Sequence, residues 1–100
     1  MIYMVTTTYP LKYASEIGKV YMEKMDKPKA ALINRVGLWL NAGEDGVKSW
    51  SVYEVEKGRE NEGYKEIISR HSPYFSIEGF KLKIEAVLKP EDALPLIGIT

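Results

Sequence analysis

Few side chains in this sequence are equipped for chemistry, and the most versatile of them, His71, is the only histidine among 100 residues. Imidazole exchanges a proton near neutral pH, so His71 is the natural general acid or base. It falls at the end of a stripe formed by Tyr64, Ile67, Ile68 and His71. A partly charged imidazole there serves equally well to cap a helix, so a structural and a catalytic role both stand. Arg35 lies within an alternating segment and has two uses of its own: an ion pair with Glu54, or the binding of an anionic ligand. Lys81 and Lys83 divide in the same way, between solvent or an intersubunit ion pair and chemistry. Of the seven tyrosines, Tyr13, Tyr53 and Tyr64 are the candidates to line a pocket between a sheet and its helices. A buried tyrosine needs a partner for its hydroxyl, whether at a core edge or beside a ligand. Thr6, Thr7 and Thr8 suit a strand leading to a helix cap, with a ligand-binding hydroxyl cluster as the alternative.

Composition argues against several function classes. Fourteen basic and fourteen acidic residues cancel, so no basic excess draws a phosphate backbone. Without cysteine the chain has no disulfides, thiol nucleophiles or thiolate metal sites. One histidine and scattered carboxylates do not form a coordination set, and neither a metal nor a cofactor is expected. The Gly43–Gly46 turn has neither the lysine nor the spacing of a phosphate loop. Glu54 and Glu85 interrupt the aromatic strand face, and the basic, aromatic motifs of RNA-reading sheets are absent. No nucleic-acid partner is therefore expected. The apolar stretches are far shorter than a membrane span. The opening Met1–Val5 has no basic region before it and makes a poor signal peptide. A soluble, cytoplasmic protein without membrane association is the expectation.

The elements that must position these residues are legible from periodicity. Leu32 to Lys57 alternates as a long hairpin around Ala42-Gly43-Glu44-Asp45-Gly46. A turn centred on Glu44-Asp45 opposes Leu40 to Ser49, Leu38 to Ser51 and Val36 to Tyr53 on one face. On the other it opposes Trp39 to Trp50, Gly37 to Val52 and Arg35 to Glu54. Each such pair is worth roughly 0.2–1 kcal/mol, and a one-residue slip would mix the faces. Met1 to Tyr9 reads as a first strand, apolar on both faces at its start and so suited either to a central position or to cover by another subunit. From Tyr13 to Met25 the apolar residues Tyr13, Ile17, Val20, Tyr21 and Met25 recur at helical spacing, until Asp26-Lys27-Pro28 breaks the pattern. Gly18 weakens that helix and suggests close packing. A second helix carries the His71 stripe and ends at Ser72-Pro73. A docked turn with Tyr74, Phe75 and Ile77 follows, and Phe80 to Lys89 is the clearest amphipathic strand. Residues 90–100 form an apolar extension expected to pack on the domain or on a partner.

The order strand, helix, strand, strand, helix, strand is the split β-α-β arrangement of a single ferredoxin-like α+β domain over residues 1–100, an antiparallel four-stranded sheet with two helices on one face. The opposite face would display Trp39, Trp50, Val52 and Val87 among Arg35, Glu54, Lys81, Lys83 and Glu85. Two tryptophans there exceed what a solvated face requires, and a homodimer stacking these faces would cover them. In element order and size, over residues 1–89, the chain resembles the dimeric α/β-barrel group of the ferredoxin-like superfold. That resemblance implies a small aromatic or haem-like ligand held between sheet and helices, with a lone histidine serving it.

Two readings of function follow. One is a small domain acting through homo-oligomerisation, with an apolar interface and no organised pocket. The other is a small-molecule-binding protein or enzyme of the dimeric α/β-barrel type, a cofactor-free monooxygenase or an isomerase. It requires a cavity on which His71, Arg35 or a tyrosine converges.

Overall fold

The computed structural model describes residues 1–25 and 31–98. The helix break expected at Asp26-Lys27-Pro28 and the last two residues of the extension lie outside them. The chain is an α+β domain in which strands β1 (Ile2–Tyr9), β2 (Ile33–Gly43), β3 (Gly46–Val55) and β4 (Lys81–Val87) form one sheet. Its order is β2-β3-β1-β4, and every neighbouring pair is antiparallel. Helices α1 (Ala14–Met25) and α2 (Glu60–His71) connect the strands, and a single turn, α3 (Pro90–Ala93), follows them. The expected position of the first strand in the middle of the sheet is observed, with β3 on one side and β4 on the other.

Period-two alternation gives the sheet two unlike faces. On β1 the buried positions are Tyr3, Val5 and Thr7; on β3 they are Val47, Ser49, Ser51, Tyr53 and Val55. Leu82 and Ile84 of β4 join this side, and Ile67 of α2, itself fully buried, packs on it. Burying Val5 and Ile67 fully contributes roughly 1.5–3 kcal/mol each. A second cluster joins Ile17 of α1 to Tyr74 and Ile77, which follow α2 in a 3-10 turn and a loop. Gly63 lets the first turn of α2 lie directly on β3, because a Cβ at that position would stand 2.3 Å from Val55 Cγ1.

The hairpin turns through Glu44-Asp45 between the paired Gly43 and Gly46. Gly46 has φ of +112°, and a Cβ there would lie 2.6 Å from the Tyr9 carbonyl oxygen, so the position requires glycine on both counts. Leu40–Ser49, Leu38–Ser51, Trp39–Trp50 and Gly37–Val52 pair as the alternation implies. Beyond Gly37 the register shifts. Arg35 lies opposite Tyr53 and Asn34 opposite Glu54, because one extra residue bulges from β2 between Arg35 and Gly37. The bulge overturns two expectations. Arg35 is not on the outer face paired with Glu54 but on the helix-covered face, and Val36 does not face Tyr53 and is exposed. Strict alternation carries no signal for a single inserted residue.

The extension does not seat its apolar side chains on the domain. Leu94, Leu96 and Ile97 are all exposed, the last two by more than 70%. Among the described residues no helix is long and apolar enough to cross a membrane.

Candidate functional site

A cavity of about 270 Å³ opens between the helix-covered sheet face and the two helices. Its floor exists because of side-chain size. At the middle of the buried face, where valine or isoleucine would fill the core, β3 presents Ser49 and Ser51 and β1 presents Thr7. Thr7 and Ser49 are cross-strand partners and share a hydrogen bond between hydroxyls. Each thereby satisfies a polar group that would otherwise cost roughly 1–3 kcal/mol to bury. Tyr53 continues the floor, and Leu38, Leu40 and Arg35 extend it along β2.

One wall is α1, through Ala14, Ile17, Gly18, Tyr21 and Lys24. Gly18 does not serve close packing as its helical context suggests: a Cβ there would meet nothing within 4 Å. It is a gap that leaves the cavity wider. The other wall comes from His71 at the end of α2, together with Tyr74, Tyr9 and Phe80. These rings form a connected set. Tyr53 and His71 meet edge to face at 6.3 Å, His71 and Tyr74 lie 6.3 Å apart, and Tyr74 and Phe80 lie 5.5 Å apart.

His71 is only 8% exposed, and its Nδ1 lies 2.7 Å from the Ile67 carbonyl oxygen. A carbonyl only accepts, so Nδ1 carries the proton and, in the neutral ring, Nε2 carries the lone pair. Nε2 has no hydrogen-bond partner among the described residues. No buried side-chain nitrogen or oxygen there goes unsatisfied, so Nε2 is not fully buried, and His71 lines the cavity. Burial lowers the His71 pKa below its ordinary 6.5. The Ile67 hydrogen bond opposes this, and the positive charges of Lys24, Arg70 and Arg35 add to it. The imidazole is therefore neutral at pH 7, a proton acceptor in a sheltered place. The helix-end role and the chemical role use different nitrogens of one ring. Burial also pushes the Tyr74 hydroxyl up to about 12, which keeps it protonated and able to donate.

The cationic end of the cavity is built across elements. The Arg35 guanidinium donates to the Tyr21 hydroxyl at 2.9 Å, its centre lying 5.6 Å from the Tyr21 ring. Lys24 donates to the Arg70 carbonyl and stands 4.6 Å from the centre of the Tyr74 ring. Beside them a smaller recess of about 40 Å³ is bounded by Tyr21, Lys24, Met25, Arg35, Tyr53 and Arg70.

Of the residues singled out from sequence, His71, Arg35, Tyr53 and Thr7 line the cavity, and Tyr13, Tyr64, Thr6 and Thr8 do not. Tyr13 donates to Glu78 at 3.5 Å in the α1 cluster, and Tyr64 is part-exposed with its ring 5.8 Å from that of Tyr3. On the outer face Trp39 is 57% exposed directly opposite Trp50, while Val52 and Val87 are half-buried among their neighbours. Lys81, Lys83 and Glu85 share that face, and Lys83 lies 3.6 Å from Glu85. Sequence reasoning passed over Tyr21, Lys24, Tyr74 and the buried serines. The available signal was Ser49 and Ser51 on the same parity as Val47, Tyr53 and Val55, polar residues where the alternation demands a core. No group of three potential metal-ligating side chains occurs among the described residues. Compared with known proteins, the chain matches no protein-family profile and no curated sequence.

Proposed function

We propose that this chain is a small-molecule-binding protein of the dimeric α/β-barrel type. On this reading its ligand lies between the sheet and the two helices, beside His71. The observation that carries the proposal is a cavity floored by small hydroxyl side chains and walled by aromatic rings, with a neutral histidine at its edge. Polar groups aimed into an otherwise apolar concavity are the usual composition of a ligand site. The ferredoxin-like assignment is supported by the strand order, β4-β1-β3-β2 from the other edge, and by helices after β1 and β3. The chemistry such a site favours is proton transfer, with His71 Nε2 taking a proton from the ligand, as an isomerase or a cofactor-free oxygenase requires. The volume lies just below the roughly 300–1,000 Å³ of drug-sized sites, which suits a compound of one ring.

A thermal-shift screen of single-ring fragments against the whole chain tests this. Fragments that raise Tm for the native protein should lose the effect when Gly18→Leu fills the cavity. Fragments that stabilise both proteins equally would place binding elsewhere.

A second reading has its own observation. Trp39, largely exposed opposite Trp50 on the uncovered face, favours a homodimer that stacks the two sheets. Sedimentation velocity of the native chain and of Trp39→Glu tests the dimer: a dimer that becomes a monomer supports it, and a monomer in both removes it together with the dimeric-barrel part of the first reading.

A further inference from the structure

We infer that the cavity is selective for a carboxylate-bearing ring compound, its ring against the tyrosines and its carboxylate in the recess beside Arg35. This rests on the cavity being a ligand site and adds the chemical class of the ligand. Three observations carry it.

The first is the asymmetry of charge. Acidic and basic residues balance over the whole chain, fourteen of each, yet among the described residues no aspartate or glutamate bounds the cavity or the recess. Arg35, Lys24 and Arg70 all border the recess. Among the described residues the basic groups gather at the recess although the protein as a whole is not basic.

The second is the state of Arg35. Arg70 has Glu66 at 3.4 Å, whereas Arg35 forms no ion pair with a described residue. The β2 bulge turns it away from Glu54, its expected partner, and towards the helices. Its contact is instead the Tyr21 hydroxyl, a neutral acceptor that fixes one nitrogen and leaves the rest of the planar fork for a ligand. A guanidinium held in this way suits the two oxygens of a carboxylate better than a point charge would.

The third is size. The recess, at about 40 Å³, admits one small group and shares Tyr21, Lys24, Arg35 and Tyr53 with the main cavity. On this inference a ring in the larger space directs its carboxylate towards the smaller one.

The test is a matched pair of titrations followed by amide chemical shifts in ¹⁵N-labelled full-length protein. Benzoate and salicylate are compared with benzamide and salicylamide, which keep the shape and lose the charge. The carboxylates should bind about tenfold or more tightly than the amides, since a hydrogen bond to a charged group is the stronger kind. Shifts should centre on Tyr21, Arg35 and Ser51. In Arg35→Gln the carboxylates should weaken to the level of the amides while the amides bind as before. If the amides bind as well as the carboxylates, or if Arg35→Gln leaves the preference intact, the charge selectivity is wrong and the cavity reading survives. If neither series shifts the cavity residues, the cavity reading itself fails, and this inference with it.

Discussion

Arg35 on β2 and Tyr21 on α1 are joined by a 2.9 Å hydrogen bond across the mouth of the cavity. It is the point at which an edge strand and a helix are tied together over the ligand space, and it exists only because β2 bulges after Arg35. Tyr21→Phe removes the acceptor and keeps the ring. Because Arg35 is exposed, stability should fall by no more than about 1 kcal/mol in urea denaturation. Affinity for a carboxylate ligand should fall severalfold, as the guanidinium is no longer pre-oriented. Unchanged affinity would mean that Tyr21 does not position Arg35.

His71 gives the protein a pH dependence of defined sign. Its folded pKa lies below the ordinary 6.5, so between these two values the unfolded chain binds the proton and the folded chain does not. Stability is full above about pH 6.5 and is lost as pH falls through the window towards the folded pKa. Because the chain has one histidine, a single imidazole resonance reports the titration by NMR. It should titrate below 6.5, and His71→Gln should flatten the part of the stability curve that lies in the same window. A midpoint at or above 6.5 would contradict the buried, neutral ring.

Gly18 separates the cavity from the fold. Gly18→Ala adds a methyl that meets nothing within 4 Å and should stabilise α1 by up to about 1 kcal/mol through helix propensity. Gly18→Leu should fold as well and exclude ligand. A loss of stability in the alanine variant would show that the wall is closer than the structure has it.

At Gly63 the opposite result is expected. A Cβ would stand 2.3 Å from Val55 Cγ1, so Gly63→Ala must push α2 off the sheet, at about 1–3 kcal/mol measured by thermal or chemical denaturation. A matching Val55→Ala change should recover part of that loss.

The legible and illegible parts of this molecule divide on physical grounds. Hydrophobic periodicity marked β1, α1, the hairpin, α2 and β4 because each buries one face, and burial is what periodicity records. The Trp39–Trp50 and Leu38–Ser51 pairs followed from the Glu44-Asp45 turn. The bulge at Val36 did not, since it changes no residue type, and it moved Arg35 from one face to the other. Among the site residues, His71, Arg35 and Tyr53 drew notice through side-chain chemistry alone. Ser49, Ser51 and Gly18 define the cavity by being small, and smallness reads as a weak strand or a weak helix until the elements are brought together. Tyr13 and Tyr64 show the converse: a tyrosine's type carries no information on which ring faces a cavity and which seals an edge.

On the proposed function, the space between the sheet and the helices holds a small molecule. The most direct measurement is a crystal structure of the whole chain with the most stabilising single-ring fragment bound. Its ring should lie between Tyr53 and Tyr74, within reach of His71, with a carboxylate at Arg35. A fragment seated instead on the Trp39 and Trp50 face, with the cavity closed by its own side chains, would contradict it.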